Sequence, residues 1–143
     1  MLRLLTRLLR PAPRDDRELG RLGERHAARL LRRAGYTVLG RNIRVPAGEA
    51  DLVCLAPDRA TIVIVEVKTR RPGAATSAQG SAVPPEASIH RGKQRKLLEV
   101  ARSLSRANGW EGRAVRIDIV AIDWQEGQRP PVVRHFVDAM VGG

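Results

Sequence analysis

Glu66 and Lys68 stand at the end of a run of β-branched residues, TIVIVEVK at positions 61–68. Side chains alternate along a strand, so Glu66 and Lys68 share one face while Val65 and Val67 project from the other, into a core. In the preceding run, GEAD at positions 48–51, the same rule puts Glu49 and Asp51 on one face. Pairing of the two runs can bring Asp51 beside Glu66. Two carboxylates and a lysine then converge, a set that suits phosphodiester hydrolysis. Hard divalent ions such as Mg²⁺ take oxygen ligands and complete their shell with water and phosphate. Such an ion generates hydroxide and neutralises charge building on the phosphorus oxygens. A lysine can hold or activate the attacking water, or stabilise the developing charge. Alone, Glu66 and Lys68 read as an ordinary ion pair at a strand end; Asp51 turns the reading to a nuclease-type site.

Lysine is scarce in this chain. Of 26 basic residues only Lys68, Lys93 and Lys96 are lysines, which leaves 23 arginines. A lysine beside Glu66 against that background suggests that a guanidinium would not serve there. Lys93 and Lys96, one helical turn apart, read either as phosphate contacts near the same site or as solvated surface. Arg70 and Arg71, just beyond Lys68 in the chain, are further candidates for nucleic-acid contact. Glu24 lies in a predicted helix and has two readings, a further metal ligand or a surface carboxylate paired with Arg21 or Arg25. His26 falls on the leucine face of that helix and reads as a packed residue in preference to a catalytic base. His90 and His135 have no partner that the sequence identifies. Asp118, inside RIDIVAID, has two readings, a buried, hydrogen-bonded carboxylate, which is favoured, and a minor member of the site.

The charge balance points to a polyanionic partner: 26 Lys and Arg against 15 Asp and Glu give a net +11. Aromatic residues are 3% of the chain, Tyr36, Trp110, Trp124 and Phe136, too few for a base-stacking platform. Contacts to phosphates are therefore expected over reading of bases. The single cysteine, Cys54, sits in a predicted buried strand and excludes a disulfide or a Cys-rich zinc site, which fits the cytoplasm. Arg3, Arg7 and Arg10 interrupt the leucines of residues 1–10, so no membrane span or signal core is expected there. Residues 1–15 read as a flexible basic arm.

These side chains need elements to position them. A first helix is expected over about 16–34, with Asp15-Asp16 at its start, Leu19, Leu22, His26, Leu30 and Leu31 at helical spacing, and Gly35 as its stop. Strand-like runs follow over 36–45, 49–56 and 61–68, with short connections that favour an antiparallel meander. The third is apolar on both faces until its end and belongs in the centre of a sheet. Residues 71–92, rich in Pro, Gly, Ala and Ser, read as a long loop. A second helix is expected over 93–108, a strand over 115–122 and an edge strand over 132–137. At 143 residues the chain makes one domain, placed at 16–140. The order is α-β-β-β-α-β with an added edge strand, an α/β mixed sheet flanked by helices, in which the second helix permits a parallel crossover.

Taken together and in order, the GE…AA helix, GEAD, VEVKTR, GKQRKL and RIDIVAID, over about residues 18–138, resemble the YraN family of bacterial proteins. That family belongs to the restriction-endonuclease-like, PD-(D/E)XK superfamily and is similar to archaeal Holliday-junction resolvases. The resemblance implies an αβββαβ core in which Asp51, Glu66 and Lys68 match the D…(D/E)XK triad and Glu24 matches the helix carboxylate of resolvase-like members. It implies a polar contribution from Gln94, Mg²⁺ or Mn²⁺ as cofactor, and a DNA or RNA backbone as substrate. The function expected is a metal-dependent endonuclease acting on structured or branched DNA. The alternative is a non-catalytic nucleic-acid-binding module in a repair, recombination or uptake assembly. Cleavage of paired strands would call for a homodimer, whose interface is not legible in one sequence. The chain departs from the family in a proline-rich stretch at Pro84-Pro85 and in the N-terminal arm.

Overall fold

Helix α1 spans Asp16–Arg33 in a computed structural model that describes residues 15–70, 89–124 and 130–139. Residues 1–14 of the expected arm, Arg71, and positions 71–88 of the expected loop lie outside the described residues. Asp15 caps α1, its Oδ1 accepting the Glu18 N–H at 2.7 Å. Asp16 and Glu18 complement the helix dipole at this end, and Arg32 and Arg33 do so at the other. The turn beyond passes through Gly35 at φ +93°, a left-handed conformation that suits glycine.

Strand β1 runs Thr37–Val45, β2 Gly48–Leu55 and β3 Ile62–Arg70. They form the expected meander, β1 antiparallel to β2 and β2 antiparallel to β3. Helix α2, Arg91–Asn108, carries the chain across to β4, Val115–Asp123, which lies parallel to β3. Strand β5, Val132–Phe136, closes the sheet antiparallel to β4, giving the order β1-β2-β3-β4-β5. Helix α2 begins two residues before the expected start because the His90 side chain caps it, Nδ1 accepting the Lys93 N–H at 3.3 Å. Its end at Gly109, φ +70°, is a left-handed cap.

The sheet buries both faces. On one, Ala27, Ala28 and Leu31 of α1 pack on Leu52, Cys54, Val63, Val65, Val120 and Ile122. On the other, Leu97, Val100 and Ala101 of α2 pack with Val53, Ile62, Ile64, Ile117 and Ile119. Successive residues of β3 thus alternate between the two cores, as a central strand buried on both sides must. This is the α/β mixed sheet with flanking helices and the αβββαβ order that the sequence leads one to expect. Among the described residues no helix is long and apolar enough to cross a membrane.

Two details set the geometry of the site. The β2–β3 ladder holds only four pairs, from Leu55↔Ile62 to Leu52↔Val65. Beyond it β2 stays with β1 through Ile43↔Ala50, Arg44↔Glu49 and Val45↔Gly48, while β3 stays with β4 from Glu66↔Ile119 to Arg70↔Asp123. The central sheet is therefore split at one end, between Asp51 and Glu66. Helix α1 closes on that end through Gly23, where any side chain would collide with Thr69 of β3.

Candidate active site

Asp51 and Glu66 face each other where the ladder stops. Continuing the register by one step would pair them. Instead the Asp51 side chain reaches over, and its Oδ2 accepts the main-chain N–H of Val67 at 2.8 Å. A side-chain acceptor thus serves an N–H that the β2–β3 ladder no longer reaches. Glu66 follows Ile62 and Ile64 in the alternation of β3, so it and Lys68 lie on the α2 side of the sheet. Val65 and Val67 lie in the α1-side core, as the sequence predicts.

Lys93, in the first turn of α2, places Nζ 3.7 Å from Glu66 Oε1. Its charge also acts on Asp51. Lys93 thus stands beside the acidic pair. Lys96 is exposed three residues further along α2. Gln94 is buried, and its Nε2 donates to the Ile89 carbonyl at 2.7 Å. Arg70, near the end of β3, lies 3.8 Å from Asp123 Oδ1, and its carbonyl accepts the Trp124 N–H.

Glu24 comes to the split from α1. Its Oε2 accepts a hydrogen bond from Asn42 Nδ2 at 3.1 Å, a partner that neither sequence alternative named. Burial raises its carboxyl, and the charges of Asp51 and Glu49 add to this, against the opposing Asn42 hydrogen bond and Arg41. Asp51 is raised chiefly by burial, with Glu49 adding, although the Val67 N–H and Lys93 favour its charged form. Burial, and after it the Asp51 charge, pushes Glu66 up to about 7, while Lys93 and Lys68 pull the other way. Three carboxyls around one split are thus all held above their ordinary range, a pattern typical of functional sites.

Among the described residues, no three His, Cys, Asp or Glu side chains stand together as a group able to hold a metal ion. Asp51 and Glu66 are a pair with Glu24 farther off. That donor set still fits Mg²⁺ or Mn²⁺, because Mg²⁺ is commonly held by one or two carboxylates and completes its octahedron with water and phosphate.

Asp118 and His26 have structural partners. Asp118 is fully buried and binds Arg116 Nε at 2.8 Å, His135 Nε2 at 2.7 Å and the Asp138 N–H at 2.9 Å. Burial alone would raise its carboxyl, but these hydrogen bonds outweigh it and hold Asp118 below the usual carboxylate range. The Arg116 guanidinium also donates to the Tyr36 hydroxyl, so the cluster ties β4 and β5 to the turn after α1. His26 packs edge-on against Trp124, the packed role expected of it. Burial and the Asp118 charge push the Cys54 thiol up to about 12, so it is inert.

The sequence does not point to Asn42. The only local signal is an asparagine inside a strand-like run, where that residue is depleted. His90 as a cap and His135 as a partner of Asp118 depend on contacts that the sequence reading did not identify.

Residues 23–122 match the family described as "Uncharacterised protein family UPF0102". A UPF0102 protein of Desulfosudis oleivorans is 37% identical over 122 residues, which cover 85% of this chain and 91% of that protein. One from Anaeromyxobacter dehalogenans is 38% identical over 129 residues, 90% of this chain and 88% of its own length. A third, from Pseudomonas aeruginosa, is 39% identical over 117 residues, 82% and 87% of the two chains. Among solved structures, Pyrococcus furiosus SfsA in complex with Ca²⁺ aligns with a TM-score of 0.39 and 13% identity. That alignment covers 90% of this chain and 66% of SfsA, just under two thirds of its length, and so loose a likeness adds nothing to the reading of the site. With the family match covering most of its length, and relatives at this identity aligned nearly end to end, the chain belongs to the UPF0102, or YraN, family.

Proposed function

We propose that this protein is a metal-dependent nuclease that hydrolyses phosphodiester bonds in nucleic acid, with structured or branched DNA as its substrate. The observation that carries this reading is the meeting of Asp51 and Glu66 at the split between β2 and β3, with Lys93 3.7 Å from Glu66. A net charge of +11 supplies the attraction for a polyanion. Mg²⁺ or Mn²⁺ held by Asp51 and Glu66, with Glu24 behind them, would supply a hydroxide nucleophile and charge neutralisation at phosphorus. Lys68, on the same face as Glu66, holds or activates the attacking water. Lys93 and Lys96 take the phosphates on the α2 side of the split.

The test is incubation with Mg²⁺ or Mn²⁺ and single-stranded, duplex, flap and four-way-junction DNA. Cleavage that disappears in Glu66→Gln and Lys68→Ala is expected. Cleavage that persists unchanged in both variants belongs to a contaminant, and with no cleavage of any substrate the nuclease reading fails.

A second reading, a non-catalytic nucleic-acid-binding module, has one observation in its favour. The Val67 N–H engages Asp51 and the Lys93 ammonium engages Glu66, so both carboxylates have partners within the chain. It predicts salt-dependent binding that survives substitution of Asp51 and Glu66 without metal-dependent turnover.

A further inference from the structure

Glu24 reaches the site from α1 into surroundings that repel it. Burial penalises its charge most, and Asp51 and Glu49 add to this with like charge. Its hydrogen bond from Asn42 Nδ2 to Oε2, 3.1 Å long, works against that repulsion.

Asn42 has two further properties that bear on this contact. Its backbone is left-handed, φ +47°, in the middle of β1. Residues other than glycine, asparagine and aspartate take up that conformation at a cost. It also stands opposite Asp51, since Arg41 pairs with Leu52 and Ile43 with Ala50 on either side. A costly backbone turn, a hydrogen bond to one acid and a register position opposite another coincide in one residue. An asparagine kept only for that turn would account for the backbone but for neither the hydrogen bond nor the register position.

We propose that Asn42 is a positioning residue that holds the Glu24 carboxylate toward Asp51, so that the site works with Glu24 in place. The proposal rests on the nuclease reading above. A neutral amide suits the task. It donates to a carboxylate without adding positive charge, so the acidic field that attracts a cation is left intact. An arginine in its place would orient Glu24 and cancel its charge together. Asparagine is also the residue with a hydrogen-bonding side chain that best tolerates the left-handed turn.

The test uses the full chain and Mn²⁺ alone as probe, followed by calorimetry and by the Mn²⁺-induced rise in melting temperature, each variant being read against its own metal-free baseline. Asn42→Gly keeps the left-handed turn and removes the amide. It is expected to weaken Mn²⁺ binding roughly tenfold, in the range found for groups that orient a metal ligand. Glu24→Gln should weaken it at least as much, and the double variant should be no weaker than Glu24→Gln alone. That non-additivity marks action through Glu24; a general loosening of the fold would not produce it. Asn42→Ala, strained at φ +47°, should melt lower than Asn42→Gly yet lose the same Mn²⁺ affinity. The role of Asn42 is overturned, and the nuclease reading left standing, if wild type binds Mn²⁺ and Asn42→Gly binds it equally well. It is likewise overturned if the Asn42→Gly and Glu24→Gln losses add. If wild type itself binds no Mn²⁺, the metal-dependent reading and the role of Asn42 fall together.

Discussion

The Asp51 carboxylate accepts the Val67 N–H at 2.8 Å, so one side chain is both a member of the candidate site and the last link between β2 and β3. Its two duties separate by substitution. Asp51→Asn keeps an acceptor oxygen and should unfold in urea within about 1 kcal/mol of wild type, whereas Asp51→Ala orphans a half-buried N–H and should cost about 1–3 kcal/mol. Equal losses in the two would show that the hydrogen bond contributes nothing to the sheet.

Glu66 presents the opposite case, an acid that the fold holds at a cost. Burial and the Asp51 charge raise its carboxyl to about 7, above the ordinary 4.5 that applies in the unfolded chain. For an acid raised in this way the folded state binds the proton more tightly. The full stability is present below about pH 4.5 and is lost as pH rises toward 7. Glu66→Gln should therefore match wild type near pH 4 and exceed it by about 1–3 kcal/mol at pH 8. Thermal melts of both proteins across that range check this, and a difference that does not grow with pH counts against it.

Lys93 should show effects of opposite sign on two ligands. Its ammonium already neutralises part of the Glu66 charge at 3.7 Å, so Lys93→Ala should bind Mn²⁺ several-fold more tightly. The same variant should bind DNA more weakly, with the slope of log K against log salt reduced by about one. Calorimetry with Mn²⁺ and anisotropy with labelled DNA in EDTA measure the two separately. Losses of both together would mean that Lys93 supports the local fold and does not compete with cations.

Asp118 should govern stability and leave the site alone. Asp118→Asn leaves an acceptor for the Asp138 N–H but removes the fully buried charge that Arg116 and His135 pair with, a change of about 3–5 kcal/mol for a broken buried pair. Its carboxyl is depressed, so its contribution is present above the unfolded value and disappears as pH falls through the lower folded one. The wild-type advantage over the variant should thus hold at pH 5–7 and shrink under stronger acid. Mn²⁺ affinity at pH 7, below the melting temperature, should be the same in both.

Much of this architecture was legible in the alternation of the chain. TIVIVEVK could only be a strand buried on both faces, and Leu19 to Leu31 could only lay one stripe of α1 on a core, because burial follows from local period. Asp51 and Glu66 were legible as neighbours for the same reason. What stayed hidden depends on where a ladder stops or what lies across the fold. Nothing local shows that β2 and β3 part after Leu52↔Val65, that His135 finds Asp118 seventeen positions earlier, or that Asn42 turns left-handed to meet a helix eighteen residues before it. Lys93 stood undecided between site and surface because the helical period fixes its flank and leaves open what that flank faces.

Gly23→Ala should act on the site from outside it. The added methyl collides with Thr69, and lifting α1 to make room should cost about 1–3 kcal/mol. Mn²⁺ affinity should fall as well, because Glu24 rises with the helix. A variant that loses stability but keeps its Mn²⁺ affinity would show that the depth of α1 does not set the position of Glu24.

That contact has a mechanical meaning. Asp51 repels both Glu24 and Glu66, so attraction among the carboxylates cannot be what brings them together. They are held near one another by α1 seated on β3, where Gly23 has no side chain of its own to meet that of Thr69, and the site is in this sense preloaded. A cation bound there would relax a stress already present and would have no need to draw helix and strands inward. The backbone should therefore move little when the site fills.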